Sequence, residues 1–224
     1  MHFGRKNRNI KYFIDKVELG SRDMTKDLGV IIDNKLKFKT QVFTIKRKCY
    51  KFINMIFKIF HVRDVDFYCK LFNIYVLSVI FYASPIYFTG DVVNMNELEK
   101  IQKYFTRRLF FRINGKALRP NYNYRLKLFG LQTLESSCVK SDLLMLYKLL
   151  YELIESSFKP IFSTRKPTRI IFQTTVSKTC RASFFHRSLV LWNKYVSQKF
   201  DSMPINYDAF LSFLSTNQSC FSFR

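Results

Sequence analysis

The sequence predicts a mainly α protein, with a short β-rich head over residues 1–35, a helical bundle over 36–157 and a small α+β region over 158–224. Three observations lead there. Only 6 Gly and 5 Pro interrupt 224 residues, too few for a loop-rich β fold. Apolar residues make up 48% of the chain, enough to fill one sizeable core or two small ones and to argue against disorder throughout. Beyond residue 40 they recur at helical spacing.

In the head, "IKYFID" and "KVEL" flank a turn and predict a hairpin. The "LGVII" strand follows between Asp27 and Asp33, its crowded β-branched residues suited to a sheet covered on both faces. Thr40 to Phe60 predicts a helix with Val42, Ile45, Cys49, Ile53, Ile56 and Phe60 on one side. A second, apolar helix spans Asp64 to Ser84. The third spans Asn94 to Phe111 with Leu98, Ile101, Phe105 and Leu109 inward. After a turn at Gly130 a fourth runs from Ser141 to Glu155, with the Ser141 hydroxyl as its cap. "FKPIFSTRKPTR", Phe158 to Arg169, is basic and punctuated by proline, and marks the main boundary. A short strand at Arg169 to Gln173, a helix around Arg187 to Lys199 and a fraying Ser-rich tail complete the chain.

Charge narrows the partners. Lys and Arg outnumber Asp and Glu by 38 to 16, a formal charge of +22 that repels itself unless an anion binds. Nucleic acid is the first candidate and an acidic membrane surface the second. Five cysteines, Cys49, Cys69, Cys138, Cys180 and Cys220, are odd in number and scattered, which suits reduced thiols. None of His2, His61 or His186 has a cysteine at zinc-ligand spacing. The N-terminus lacks the apolar core of a signal peptide, so a nuclear or cytoplasmic location is expected. One stretch, Leu71 to Phe88, is uncharged over about 18 residues, near the length of a membrane span. Pro85, Asn73, Ser78 and Ser84 interrupt it, and a buried core helix is the expected reading; a membrane-associated basic helical protein is the alternative.

The basic residues gather on helix faces. Arg47, Lys51, Asn54 and Lys58 stand at i, i+4, i+7 and i+11, beside the apolar face of the first helix. On the third, Lys100, Lys103 and Arg107 stand at i, i+3 and i+7, with Arg108 and Arg112 adjoining. Acidic neighbours are scarce: Glu97 and Glu99 on the third helix, none on the first. Such faces suit phosphates better than intrahelical ion pairs.

Gly4, Lys6 and Asn7, then Asp27 to Val30, Tyr82 to Pro85, and Phe185, Arg187, Trp192 and Asn193 stand in segments that resemble the end of the reverse transcriptase domain in non-LTR (LINE-type, jockey-like) retrotransposons. "HFGRKNRNIKYFID" followed by "TKDLGVIIDNKLKF" is similar to that family's Gly-Lys-Asn turn and Asp-Leu-Gly-Val strand, through Gly4, Lys6, Asn7, Asp27, Leu28, Gly29 and Val30. "LFNIYVLSVIFYASPIY" resembles its helix ending in Tyr-Ala/Cys-Ser-Pro, with Tyr82, Ala83, Ser84 and Pro85 in register. "LEKIQKYFTRRLF" and "YRLKLFGLQTLE" are similar to two further stretches. "SFFHRSLVLWN" resembles a Phe-x-x-Arg-x-x-x-x-Trp-Asn motif through Phe185, Arg187, Trp192 and Asn193. Five matches in the family's order cover nearly the whole chain. Departures occur too: Ser136 and Ser137 stand for a usual pair of arginines, and Leu77 and Phe81 for charged residues.

The resemblance implies a remnant of a polymerase palm over 1–35, a helical thumb-like region over 36–157 and a C-terminal region over 158–224. It implies binding of RNA or an RNA/DNA duplex through the basic helices, and no small-molecule substrate. The expected contacts are Arg47, Lys51, Lys58, Lys100, Lys103, Arg107, Arg108, Arg181 and Arg187. An intron-maturase-like RNA-binding thumb is a near alternative. A polymerase needs carboxylates holding Mg²⁺ ions about 3.5–4 Å apart. The sequence has no Asp-Asp pair, and the "DVD" of Asp64 and Asp66 precedes a helix, where Asp64 reads as a cap. No catalytic residue, metal or cofactor is therefore expected; Mg²⁺ would belong to palm residues upstream. The chain is expected to be inactive alone and to self-associate through exposed strand edges.

Overall fold

Two hairpins precede the helices in the computed structural model, which describes residues 1–3, 10–115, 118–172, 177–203, 205–216 and 221. β1 (Phe13–Ile14) pairs antiparallel with β2 (Val17–Glu18), and β3 (Met24–Asp27) with β4 (Val30–Asp33). Both turns place two residues at positive φ, Asp15 and Lys16 at 49° and 68°, Leu28 and Gly29 at 43° and 86°. That geometry matches the twist of the flanking strands. The expected two-sided burial of "LGVII" does not hold. β3 is exposed throughout, and only Val30 of β4 is buried, because these strands form a two-stranded sheet with one face on the helices. Gly4, Lys6 and Asn7 lie outside the described residues.

The passage from β4 into α1 (Lys39–Ile59) is organised by one carboxylate. Asp33 accepts hydrogen bonds from the backbone N–H groups of Lys35, Lys37 and Phe38, the last at 2.6 Å. It thereby holds a turn in which Leu36 and Phe38 take left-handed backbone angles. On α1, Val42, Ile45, Cys49, Ile53 and Ile56 are buried as their spacing predicts, joined by Gln41 and Phe57. Gln41 reaches back to accept from Ile31 N at 2.9 Å, pinning β4 to the helix.

Asp64 caps α2 (Val65–Leu71), accepting from Asp66 N and Phe67 N, as its position suggested. The helix continues through a π-helical turn (Phe72–Leu77) into α3 (Ser78–Phe81). Its buried residues are Tyr68, Phe72, Val76 and Ile80, four apart each time. In an α-helix every such step overshoots a full turn by about 40°. The wider π turn, with i→i+5 bonding, takes up that drift and keeps one face inward. The helix stops at Tyr82, earlier than expected, and α4 (Ser84–Tyr87) restarts it. Pro85 explains the break: within a continuous helix its ring would clash with the carbonyl of Phe81, whereas in the first turn of a new one it fits.

α5 (Val92–Asn114) extends the third expected helix at both ends, and Leu98, Ile101, Phe105 and Leu109 are buried. α6 (Tyr122–Leu128), capped by Asn121, is too short for its periodicity to stand out in the sequence. α7 (Leu134–Leu150) begins well before Ser141, which lies inside it; Thr133 is the cap, its hydroxyl accepting from Ser136 N at 3.2 Å. β5 (Ile161–Phe162) pairs with β6 (Ile170–Ile171), within the expected strand; Gln173 lies outside the described residues. α8 (Lys178–Ala182), α9 (Phe184–Leu191), a π-helical turn (Trp192–Val196) and α10 (Ser197–Lys199) follow. The tail forms α11 (Tyr207–Thr216) instead of fraying, because Phe210, Phe213 and Leu214 fall on one face and are buried.

The fold is thus mainly α with a small β part. One apolar cluster runs from Val30 to Cys138 and gathers α1 to α5 and the start of α7. A second runs from Val139 to Phe221 around Trp192 and Phe210. The two meet in the middle of α7, whereas the proline-punctuated segment after residue 157 is where the helix has already ended.

Candidate nucleic-acid interface

α1 and α5 pack side by side and parallel, with α2 to α4 returning the chain between them. Partners advance together along both: Asn94 donates to Lys37 O at 2.8 Å, Lys46 pairs with Glu97 at 2.6 Å, and Tyr104 OH donates to Asn54 Oδ1 at 2.7 Å. At the far end Arg112 donates to Phe57 O at 2.8 Å and Phe60 O at 3.2 Å. Those carbonyls close the C-terminus of α1, where a cation also complements the helix dipole. Arg112 is thereby a capping residue of the neighbouring helix.

The outer surface of this pair carries the predicted cations. Arg47, Lys51 and Lys58 are exposed along α1, and Lys100, Lys103 and Arg107 along α5. Between the stripes lies a seam of polar and aromatic groups. Tyr50 and Tyr104 meet edge to face at 4.9 Å, and half-buried Arg108 donates to Tyr104 OH at 3.0 Å and to Asn54 Oδ1. The guanidinium of Arg108 also lies 5.0 Å from the Phe57 ring centre. Fixed in this way, Arg108 presents less of its charge than the six around it.

Acidic neighbours are nearer than the sequence suggested. Glu97 bridges Lys46 and Lys100, and the hydrogen bonds from Lys100 first and then Lys46 hold its carboxyl below the usual range. The i, i+3 spacing of Glu97 and Lys100 was the available signal. Glu99 is buried instead, accepting from Leu134 N at 3.0 Å and from Tyr122 OH, and burial pushes its carboxyl up against those bonds. Lys103 lies over the Tyr122 ring at 5.3 Å.

The two remaining expected contacts lie elsewhere. Arg181 is exposed on α8, which packs on α9. Arg187 is a correction: its side chain is 6% exposed and pairs with the still more deeply buried Asp142, Nε to Oδ2 at 2.7 Å and Nη2 to Oδ1 at 3.2 Å. A guanidinium held on both edges inside the core has no face left for a phosphate. Sequence reasoning also passed over Tyr50 and Tyr104, whose spacing along α1 and α5 is visible but whose meeting is set by tertiary packing.

Among the described residues no three His, Cys, Asp or Glu side chains gather as metal ligands, and Asp64 is engaged as a cap. No helix among the described residues is long and apolar enough to cross a membrane. Cys49, Cys69, Cys138 and Cys180 are free thiols; burial pushes the Cys49 thiol up to about 12 and the Cys69 thiol up to about 11. Cys220 lies outside the described residues.

No protein-family model matches the chain, and no solved structure matches it. It is similar to an uncharacterized protein of Caenorhabditis elegans, 26% identical over 100 residues, which covers 45% of this chain and 50% of the relative. The match thus spans about half the length of that relative.

Proposed function

We propose that this chain is the end-of-palm, thumb and C-terminal region of a non-LTR retrotransposon reverse transcriptase, and that it binds RNA or an RNA/DNA duplex by its phosphates. One observation carries the binding reading: six exposed cations, Arg47, Lys51, Lys58, Lys100, Lys103 and Arg107, lie on the outer surface of two parallel helices, with Tyr104, Asn54 and Arg108 between them. Phosphate contacts position a duplex without reading its sequence, and lysine and arginine on a rigid helix pair suit that task. The wide, shallow groove and uniform backbone of an A-form helix make RNA-containing duplexes the preferred partner. The place of action is nuclear or cytoplasmic, and no polymerisation is assigned to this chain.

The test is a set of binding isotherms at several salt concentrations, with duplex RNA, an RNA/DNA hybrid and duplex DNA. Phosphate neutralisation releases counterions, so with about six contacts affinity falls roughly a thousandfold from 50 to 200 mM salt. The triple variant R47Q/K51Q/K58Q weakens all three partners alike and flattens the salt slope by about two to three units. Unchanged affinity and slope in a variant with wild-type circular dichroism would make this face a solvated surface and nothing more.

A further inference from the structure

Where the last turns of α5 face the start of α6, a cavity of about 240 Å³ opens to the surface, lined by Arg107, Phe110, Phe111, Arg119, Pro120 and Arg125. Three of the six lining residues are arginines and two are phenylalanines, and among the described residues no Asp or Glu lines the cavity. Arg125 is fixed in place, donating Nε to Thr106 Oγ1 at 3.2 Å and Nη1 to Pro120 O. Arg107 lies with its guanidinium 5.9 Å from the Tyr104 ring. Among the described residues none of the three arginines forms an ion pair. Burial first, and then the charge of Arg107, make Arg125 harder to keep protonated. An anion in the cavity would counter that effect.

The lining also selects among anions. A phosphodiester within a strand carries one charge and two free oxygens. A phosphate monoester carries close to two charges near neutral pH and offers three strong acceptor oxygens, a match for three guanidinium forks. Phe110 backs the cavity from the core, and the half-buried Phe111 suits a flat heterocycle, because a base stacks on an aromatic ring without regard to its identity. The volume falls below the roughly 300–1,000 Å³ of pockets that enclose a whole drug-sized ligand. A phosphate and its base would enter, with the rest of the ligand outside.

We propose that this cavity binds a phosphate monoester carried by a nucleotide, the phosphate among Arg107, Arg119 and Arg125 and the base against the half-buried Phe111. The site shares Arg107 with the α1/α5 face, yet Arg119, Arg125 and Phe111 lie outside that face, and nucleotide binding does not require the face to bind a duplex. A free nucleotide and the phosphorylated end of a strand both supply this chemistry.

Calorimetric titration of the full chain with uridine 5′-monophosphate, uridine and inorganic phosphate tests it, together with two RNA dodecamers bearing a 5′-phosphate or a 5′-hydroxyl. The nucleotide binds at least about tenfold tighter than either half alone, since each half lacks one wall's contact. Arg119→Gln, at an exposed position, lowers that affinity by a similar factor and brings the two dodecamers to parity. A phosphate-dependent advantage for the dodecamer identifies the strand end as a source; an advantage for the mononucleotide alone identifies the free nucleotide. Either outcome upholds the site. Equal binding of nucleotide and inorganic phosphate, or an R119Q chain indistinguishable from wild type, would overturn it. R47Q/K51Q/K58Q weakens both dodecamers alike and leaves their ratio intact, so failure of the duplex face is read separately.

Discussion

Asp142 and Arg187 hold three segments together. Besides the pair itself, Arg187 of α9 donates to Ala182 O at 2.7 Å and to Pro85 O at 3.4 Å, so one guanidinium ties α9 to α7, to the end of α8 and to α4. Burial pushes the Asp142 carboxyl up, and the arginine works against that shift. Such a pair contributes little net stability while intact, yet removal of one partner strands a charge in the core. Asp142→Ala is therefore expected to cost about 3–5 kcal/mol, measured by denaturant unfolding, whereas exchange of both residues for apolar ones of similar volume costs far less. A loss under about 1 kcal/mol would place water beside the pair. In the sequence the arginine was legible as a position of the Phe-x-x-Arg-x-x-x-x-Trp-Asn pattern but not as a core residue. In a chain of charge +22 an arginine reads as surface, and its partner is 45 residues away. Trp192 and Asn193 of the same motif are likewise fold residues: the indole donates to Thr168 O at 2.9 Å, and Asn193 exchanges two bonds with the backbone of Ile170.

At the scale of elements, the hairpins differ in how they are tied down. β3–β4 is anchored by Gln41, by the Asp33 turn, and by Tyr82, whose hydroxyl donates to Leu28 O at 2.6 Å. β1–β2 exposes all four of its strand residues, Phe13, Ile14, Val17 and Glu18. Amide exchange should thus be fastest over Phe13–Glu18 and slower over Val30–Asp33, with the slowest amides in α1 and α5. Protection of β1–β2 equal to that of α1 would mean that another chain covers it, as an exposed strand edge invites. The long helices were legible because their apolar residues repeat over several turns. The start of α7 was not, since the hydroxyls of Thr133 and Ser141 look equally fit to cap and only the turn closed at Gly130, φ 61°, favours the first. The charged stripes were legible residue by residue; the bridging of two lysines by Glu97 depends on α1 lying beside α5.

Across the whole molecule, α7 belongs to both apolar clusters, with Cys138 facing one and Val139 the other. Loss of either cluster would uncover half of that helix, so the two should melt together. The single Trp192 sits in the second cluster, fully buried, and reports on it alone. Unfolding followed by its fluorescence is expected to coincide with far-ultraviolet circular dichroism, and Ile101→Ala, in the first cluster, should shift both midpoints equally after a loss of about 2–5 kcal/mol. A shift seen by circular dichroism alone would show two independent units. The proline-punctuated boundary was legible as the end of a helical run. That the core divides within a helix was not, because periodicity reveals which residues are inward and not which neighbours they meet.

The π turn at Phe72–Leu77 has a bearing on chain length. A helix with one residue too many for its neighbours must either rotate everything downstream by about 100° or swell locally. Here the swelling is confined to a single turn, and Ile80 returns to the same side as Tyr68. Deleting Asn73, exposed within that turn, should let the segment close into ordinary α geometry while α3 keeps its packing. The same deletion in α1 would turn half of its apolar stripe to solvent. Near wild-type stability for the first variant and collapse for the second, compared by thermal unfolding, would mark this turn as the place where the chain tolerates gaining or losing a residue.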